Sequence, residues 1–290
     1  MDIDKSSGII LHPTALPSKY GIGDFGNTSK KFIDFLNDTS TSIWQLLPLG
    51  LTSTDEFSPY SSPSSILGNR YLIDVDKFSY DYESNIKPQT FSKKFVEYDN
   101  VYRFKDEIFK NIAQHINLED QIYSNFLEDD LIRKHITFLI LRDVNRKSWN
   151  LWDNEFQNYN DNLFDKLLNE NKNLVNFHVL TQYEFFNQWK SLKQYANKKN
   201  VKILGDIPIY VNHDSADVWL NQDMFEIDEN YEMEYISGAV PDSFNLEGQI
   251  WGNTLYKWNA HKDDGFKYWK DKLNRSLDLY DYLRIDHFIG

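Results

Sequence analysis

No cysteine occurs in the 290 residues. That absence removes disulfides, zinc–thiolate sites, iron–sulfur clusters and thiol nucleophiles together. Basic residues are in deficit: 31 Lys and Arg stand against 44 Asp and Glu, a formal net charge of −13 at pH 7, and no basic cluster breaks the acidic balance. Affinity for a phosphate backbone comes from neutralising phosphates with Lys and Arg, so nucleic acid is excluded as an expected partner. Long apolar runs are also missing, since no stretch approaches the ~18 uninterrupted apolar residues that a membrane span requires. The opening MDIDKSSGIILHP has neither the basic segment nor the apolar run of a signal peptide. A cytoplasmic protein with no membrane partner is the expectation. The seven histidines are scattered, with neither HxxxH nor HExxH among them, so no metal site is expected. GxSxG, the elbow of a serine hydrolase, is absent as well.

Aromatic residues are plentiful at 16% of the chain. Flat rings at a surface suit stacking ligands such as sugars or bases, and an aromatic-rich core is the other reading. The length admits one large domain or two small ones, burying roughly three quarters of the unfolded surface. Four short apolar segments read as buried strands: Gly8 to Leu11, Ile43 to Leu49, Val201 to Gly205 and Tyr282 to Ile285. None alternates cleanly, which favours a parallel sheet covered by helices. Helical spacing appears at Phe32, Phe35 and Leu36; at Leu180, Tyr183, Trp189, Leu192 and Ala196; and at Phe266, Trp269, Leu273 and Leu277. Between the second and third strands lies helical patterning such as Leu131, Ile132, His135, Phe138, Leu139 and Arg142, while the Asn-rich stretch 150–176 reads as loop-rich surface. The expectation is an α/β chain: the first strands and site loops in 1–70, an inserted, mainly helical subdomain in 71–176, and a continuation in 177–290 with an insertion at about 212–262. A (β/α)8 TIM barrel takes ~250 residues without insertions, so four strands predict the front part of a longer protein.

Five groups of residues carry candidate chemistry. Gly21, Gly23 and Gly26 match GxGxxG, but ten residues with two prolines separate the first strand from Gly21, and the second strand ends in PLG instead of an acidic residue. The dinucleotide fingerprint needs the glycine turn directly at the strand end, so no cofactor is expected, and the glycines are read as folding a loop tightly beside a site. In LRIDHF, Arg284 and Asp286 are two apart on a strand and face one side, where the guanidinium would hold Asp286 ionised as a nucleophile. A structural ion pair at a strand end is the alternative. Asp206, after the third strand, is either a site carboxylate or a loop anchor. Ser58 and Tyr60 in SPY sit on a loop where a ring would cover a pocket or simply make a turn, and Asp242 and Trp251 offer a carboxylate and an indole suited to sugar hydroxyls and a sugar face.

Taken in order, SGIILHPTALPSKYGIGDFG, IWQLLPLG, SPYSSPSSILGNRYLIDVD, LGDIPIYVNHDSADVW, AVPDSFNLEGQIWGNTLYKW and YLRIDHF resemble the amylomaltases, 4-α-glucanotransferases of the α-amylase clan. The resemblance implies a (β/α)8 barrel of which about the first four strands are present, with helical insertions. It implies transfer of α-1,4-glucan segments between maltooligosaccharides by retaining double displacement. Asp286 lands on the nucleophile and Arg284 beside it; Tyr60 stacks against the transferred sugar, Asp206 supports the donor site, Asp242 and Trp251 line the glucan groove, and His287 sits close to the scissile bond. Three positions depart from the family pattern: Ile289 in place of Arg, VPDSF in place of PPDYF, and Thr254 in place of Pro. The family's general-acid glutamate lies on a later strand, beyond Gly290, so these residues alone are expected to be inactive and poorly stable. An α-glucan hydrolase of the same clan and a non-catalytic glucan-binding fragment are the alternatives.

Overall fold

The computed structural model describes residues 5–52, 57–78, 89–241, 243 and 245–287. Its centre is a sheet of four parallel strands, β1 (Gly8–Ile10), β2 (Ile43–Gln45), β3 (Lys202–Ile207) and β6 (Tyr282–Ile285), side by side in that order. Gly8 stands opposite Ile43, Gln45 opposite Leu204, and Asp206 opposite Arg284. Helix α1 (Asn27–Asp38) joins β1 to β2. Then come α2 (Tyr98–Ala113), α3 (Gln121–Leu127), α4 (Asp130–Asn145), α5 (Leu163–Glu170) and the 27-residue α6 (Lys172–Lys198), all between β2 and β3. After β3 follow the short α7 (Ala216–Leu220), an antiparallel pair β4 (Ile236–Ala239) and β5 (Gln249–Thr254), and helices α8 (Trp258–Asp263) and α9 (Lys267–Leu279).

All four expected strands are present, three of them with shifted ends, but β1 and β6 at the two sides of the sheet are not buried: Ile10, Tyr282 and Ile285 are exposed. β2 stops at Gln45, short of Leu49: Leu46 still donates to Leu204 O, 2.9 Å away, but Pro48 has no N–H for a ladder. β3 runs past Gly205, so Asp206 lies in the strand and not after it. In α1 the inner stripe is Ser29, Ile33 and Leu36; Phe35, one residue off that stripe and therefore turned about 100° away, is exposed. The stretch 150–176 is more than polar surface, since it contains α5 and the start of α6 and buries Trp152, Leu163, Phe164 and Leu167.

The largest departure is α9. Its apolar spacing predicts a buried face of Phe266, Trp269, Leu273 and Leu277, yet the face turned inward is Tyr268, Lys272 and Ser276, while Phe266 and Leu277 are exposed. Each inward polar tip has a partner: Tyr268 Oη donates to Asp217 Oδ1 at 3.0 Å, Lys272 Nζ to Pro208 O at 2.8 Å, and Ser276 Oγ to Lys272 O. Burial of a polar group is tolerated when its hydrogen bonds are made.

One continuous apolar cluster runs from Leu16 through Trp44, Phe109, Phe138 and Trp189 to Tyr280, so the helical layer and the sheet share a core. The glycine loop folds tightly: a Cβ at Gly23 would stand 1.9 Å from Pro13 O. Gly205 is the other tight position, because a Cβ there would fall 2.2 Å from the Tyr280 ring. Overpacking of this kind costs about 1–3 kcal/mol. Gly205→Ala is expected to lower the unfolding free energy by that amount in urea titration; a loss under about 0.5 kcal/mol would show that Tyr280 yields freely.

Candidate functional site

Parallel strands send their C-terminal ends to one rim, and three of them supply the polar groups here. Near the end of β3 stands Asp206, with Arg284 of β6 directly opposite it and Asp286 two residues further on. The loop after β2 returns over this rim and brings Tyr60. Asp206, only 3% exposed, accepts from Tyr60 Oη at 2.8 Å and takes Arg284 Nη1 between its two oxygens at 3.0 Å each. The other guanidinium nitrogen, Nη2, donates to Asp286 Oδ2. Arg284 therefore bridges a buried carboxylate and an open one, the Asp286 side chain being 47% exposed.

The chain turns sharply after Asp286. His287 adopts φ 51°, the left-handed region that non-glycine residues seldom enter. Its backbone N–H meets Asp286 Oδ1 at 2.9 Å, and its Nε2 lies 4.0 Å from Asp286 Oδ2. The imidazole rests on the Trp251 indole, ring centres 4.5 Å apart at 51°. Trp251 comes from β5, where its Nε1 donates to Gln249 Oε1 at 2.9 Å, and its ring centre lies 6.0 Å from that of Tyr210.

These groups surround a cavity of about 470 Å³, with Tyr60, Asp206, Tyr210, Trp251, Asp286 and His287 in its walls. Partial burial favours the neutral form of Asp286, but the His287 amide and the Arg284 guanidinium outweigh it and hold the carboxyl below its ordinary range. Burial first, and then Asp206, push the Tyr60 phenol well above its usual value, so it stays protonated as a donor. At neutral pH the site offers one open carboxylate, a fixed cation behind it, and an aromatic wall.

Five of the eight residues singled out from the sequence line this cavity, and Arg284 braces it from behind. Ser58 does not line it; its Oγ accepts from Tyr60 N–H at 3.2 Å and shapes the turn. Asp242 lies outside the described residues. The glycine loop 21–26 is not in the walls either. Sequence reasoning missed Tyr210, although it stands four residues after Asp206 in the same block, and Asn253, two after Trp251. Among the described residues no group of three or more His, Asp or Glu side chains is arranged to hold a metal ion, and no helix is long and apolar enough to cross a membrane.

A parallel sheet that gathers ion-paired carboxylates and aromatic rings where its strands end has the layout of an α/β enzyme site. The chain belongs to glycoside hydrolase family 77, the 4-alpha-glucanotransferases, whose profile matches residues 11–290. A 4-alpha-glucanotransferase of Clostridium butyricum is 40% identical over 97% of this chain and 59% of its own length; that of Aquifex aeolicus is 37% identical over 98% and 59%. The amylomaltase from Streptococcus agalactiae in complex with acarbose superposes with a TM-score of 0.88 at 32% identity, covering 98% of this chain and 60% of that one. This chain thus spans about three fifths of the length of the curated relatives it matches.

Replacing Arg284 with Met removes one of the two influences that depress the Asp286 pKa. A carboxyl whose pKa is lower folded than unfolded contributes stability above its unfolded value, 3.8, and loses it as pH falls through the folded value. In Arg284→Met the Asp286 carboxyl is expected to titrate at higher pH than in the parent, followed by carbon NMR of labelled aspartate. An unchanged midpoint would assign the depression to the His287 amide alone.

Proposed function

We propose that this chain supplies the nucleophile side of a 4-alpha-glucanotransferase site, transferring α-1,4-glucan segments between maltooligosaccharides. The observation that carries this reading is the Asp206–Arg284–Asp286 chain: an open carboxylate, kept ionised and aimed at a cavity walled by Trp251, Tyr210 and Tyr60. The acarbose complex of the Streptococcus agalactiae amylomaltase supports a glucan-like ligand. In the reaction we assign, an Asp286 oxygen attacks the anomeric carbon, an ester to the enzyme forms, and the glycosidic C–O bond breaks as a glutamic acid protonates the leaving oxygen. An acceptor sugar hydroxyl then attacks the same carbon, gives its proton to that glutamate and releases Asp286. By resemblance to the family the glutamate lies outside these 290 residues.

The same reading makes the four-stranded sheet the first half of a (β/α)8 barrel of the α-amylase clan, with 71–176 an inserted helical subdomain and about 212–262 a second insertion. Asp206 acts chiefly as the anchor of Arg284, since its oxygens are already taken; Tyr60 completes that anchor and presents its ring. Trp251 and His287 offer a sugar-facing surface, and Asp242 is assigned to the same groove. Partners are α-1,4-glucans and maltooligosaccharides in the cytoplasm, with neither membrane nor nucleic acid among them; a net charge of −13 repels phosphates.

The test is Asp286→Asn in the full-length protein, incubated with maltotriose. Parent protein is expected to give a ladder of longer chains plus glucose, and the variant at least a thousandfold less transfer with binding retained, since nucleophiles are worth that and more. Glucose and maltose without a ladder would point to a hydrolase. Binding without any turnover in the parent would leave a non-catalytic glucan binder.

Tyr60 separates ring from hydroxyl. Tyr60→Phe removes one hydrogen bond to the buried Asp206, about 1–3 kcal/mol for a charged acceptor, and Tyr60→Ala removes the stacking ring as well. Transfer rates are expected to fall in the order parent, Phe, Ala. Phe equal to parent would show that Arg284 alone suffices to hold Asp206.

A further inference from the structure

A second cavity, about 540 Å³, opens between α4, α7 and α9 and shares no wall residue with the one beside Asp286. Three titratable side chains in its lining are almost completely buried: His135 from α4, Asp217 from α7 and Lys272 from α9. His135 Nδ1 pairs with Ser64 Oγ at 2.8 Å. Asp217 accepts from Ser65 N–H at 2.8 Å, from the Ser65 hydroxyl and from Tyr268 Oη. Lys272 Nζ donates to Pro208 O and lies 5.1 Å over the Trp269 ring. None of the three takes part in the chemistry above. Buried ionisable groups converging on a cleft are costly to keep and mark sites of function.

The lining decides the ligand. Five aspartates against three lysines leave an acidic excess, which opposes an anion. Two of the lysines are already paired at the rim, Lys134 with Asp130 and Lys267 with Asp271. The Lys272 ammonium carries three protons and gives one to Pro208, so it can still donate to a ligand oxygen. Rim carboxylates supply acceptors; Asn221 Nδ2 is given to Asp217 O and Gln222 Nε2 to Gln157 O and Trp219 O, so these two side chains offer their oxygens as further acceptors, and Tyr159 adds an aromatic ring. Groups that donate from the floor and accept at the rim suit hydroxyls, which do both. The volume falls in the range of small-molecule sites.

We propose that this cavity is a second saccharide site, taking one or two glucose units of an α-glucan, separate from the cavity that holds Asp286. This rests on the glucan reading of the chain. Burial lowers the Lys272 pKa to about 8, against the pull of Asp217, so the ammonium is still charged at neutral pH. Burial likewise lowers His135, against Asp217, and keeps its ring neutral. A sugar bound here would touch, through Lys272 and Pro208, the backbone two residues from Asp206.

The experiment is a maltose titration of the full-length protein, followed by NMR at the Asn221 and Gln222 side-chain amides and at the Trp251 indole. Saturable shifts are expected at both places. Lys272→Met and Asn158→Trp, the latter filling the exposed mouth, are expected to weaken the shifts at Asn221 and Gln222 at least tenfold, while the Trp251 shift persists; circular dichroism melts verify folding. Trp251→Ala is expected to leave the Asn221 and Gln222 shifts in place. Shifts at Trp251 alone, or shifts at Asn221 that vanish in Trp251→Ala, would overturn the second site and leave the glucan reading standing. Silence at every probe would overturn the glucan reading itself.

Discussion

In a parallel pair of strands the register decides which side chains stand side by side, and in β3 and β6 it sets Asp206 opposite Arg284. Everything at the rim follows from that pairing. The guanidinium is planar and can serve two carboxylates at once; with Nη1 held by Asp206, which is fixed in the strand and almost wholly buried, Arg284 gives Nη2 to Asp286. A slip of one residue would carry Arg284 to the opposite face of the sheet, away from both. Gly205 holds the register from behind, letting Tyr280 lie against the backbone of β3 while its hydroxyl receives the Leu49 N–H at 3.3 Å.

The loop that brings Tyr60 over the rim is long and mostly without regular structure, so its buried backbone needs partners. Helix α6 supplies them. Gln182 accepts from Gly68 N–H at 2.8 Å and donates to Gly68 O at 3.0 Å, and Gln188 accepts from Asp74 N–H at 2.8 Å. From the other side Lys105 of α2, fully buried, reaches Tyr71 O at 2.7 Å and Ile73 O at 2.9 Å, with Asp24 3.9 Å away. Amides and an ammonium do what a strand would do elsewhere. That explains why the helical layer is continuous with the core under the sheet: it is the scaffold on which 68–74 is hung, and Tyr60 lies in the same returning segment.

The four parallel strands were legible because each is a short apolar run followed by a loop that stands out by its polarity, although of the four only β3 is mostly buried. The β4–β5 pair left no such trace: Ile236 and Ile250 are exposed, so neither face shows a buried alternation. The buried face of α9 was misread for a related reason. Tyr268 and Lys272 look like surface residues in the sequence, and only Asp217 and Pro208, far away along the chain, make them interior. Within the site, spacing alone linked Arg284 to Asp286, because two residues along a strand share a face. The bond to Asp206 depends on register between strands 78 residues apart, and the Tyr60 hydroxyl bond spans 146. The resemblance placed these residues in one site without saying which touched which.

The geometry around Asp286 bears on what its carboxylate can do. An ionised carboxylate has about four lone-pair directions. One on Oδ1 is used by the His287 amide and one on Oδ2 by Arg284, so the group is clamped at both oxygens while each keeps a direction free. A carboxylate held at one oxygen alone would still rotate about its terminal torsion; held at both, it presents a fixed edge. The turn that makes this possible puts His287 in a strained region, a cost of order 1–3 kcal/mol, and two contacts offset it, the amide bond to Asp286 and the packing of the imidazole on Trp251. The same strain therefore couples the indole wall to the carboxylate: whatever displaces Trp251 loosens His287, and through its amide, Asp286. On the proposed reading of Asp286 as the nucleophile, its orientation governs how often it meets its target, and the β4–β5 pair, which supplies Ile250, Trp251 and Asn253 to the cavity wall, bears on that orientation as well through the Trp251–His287 contact.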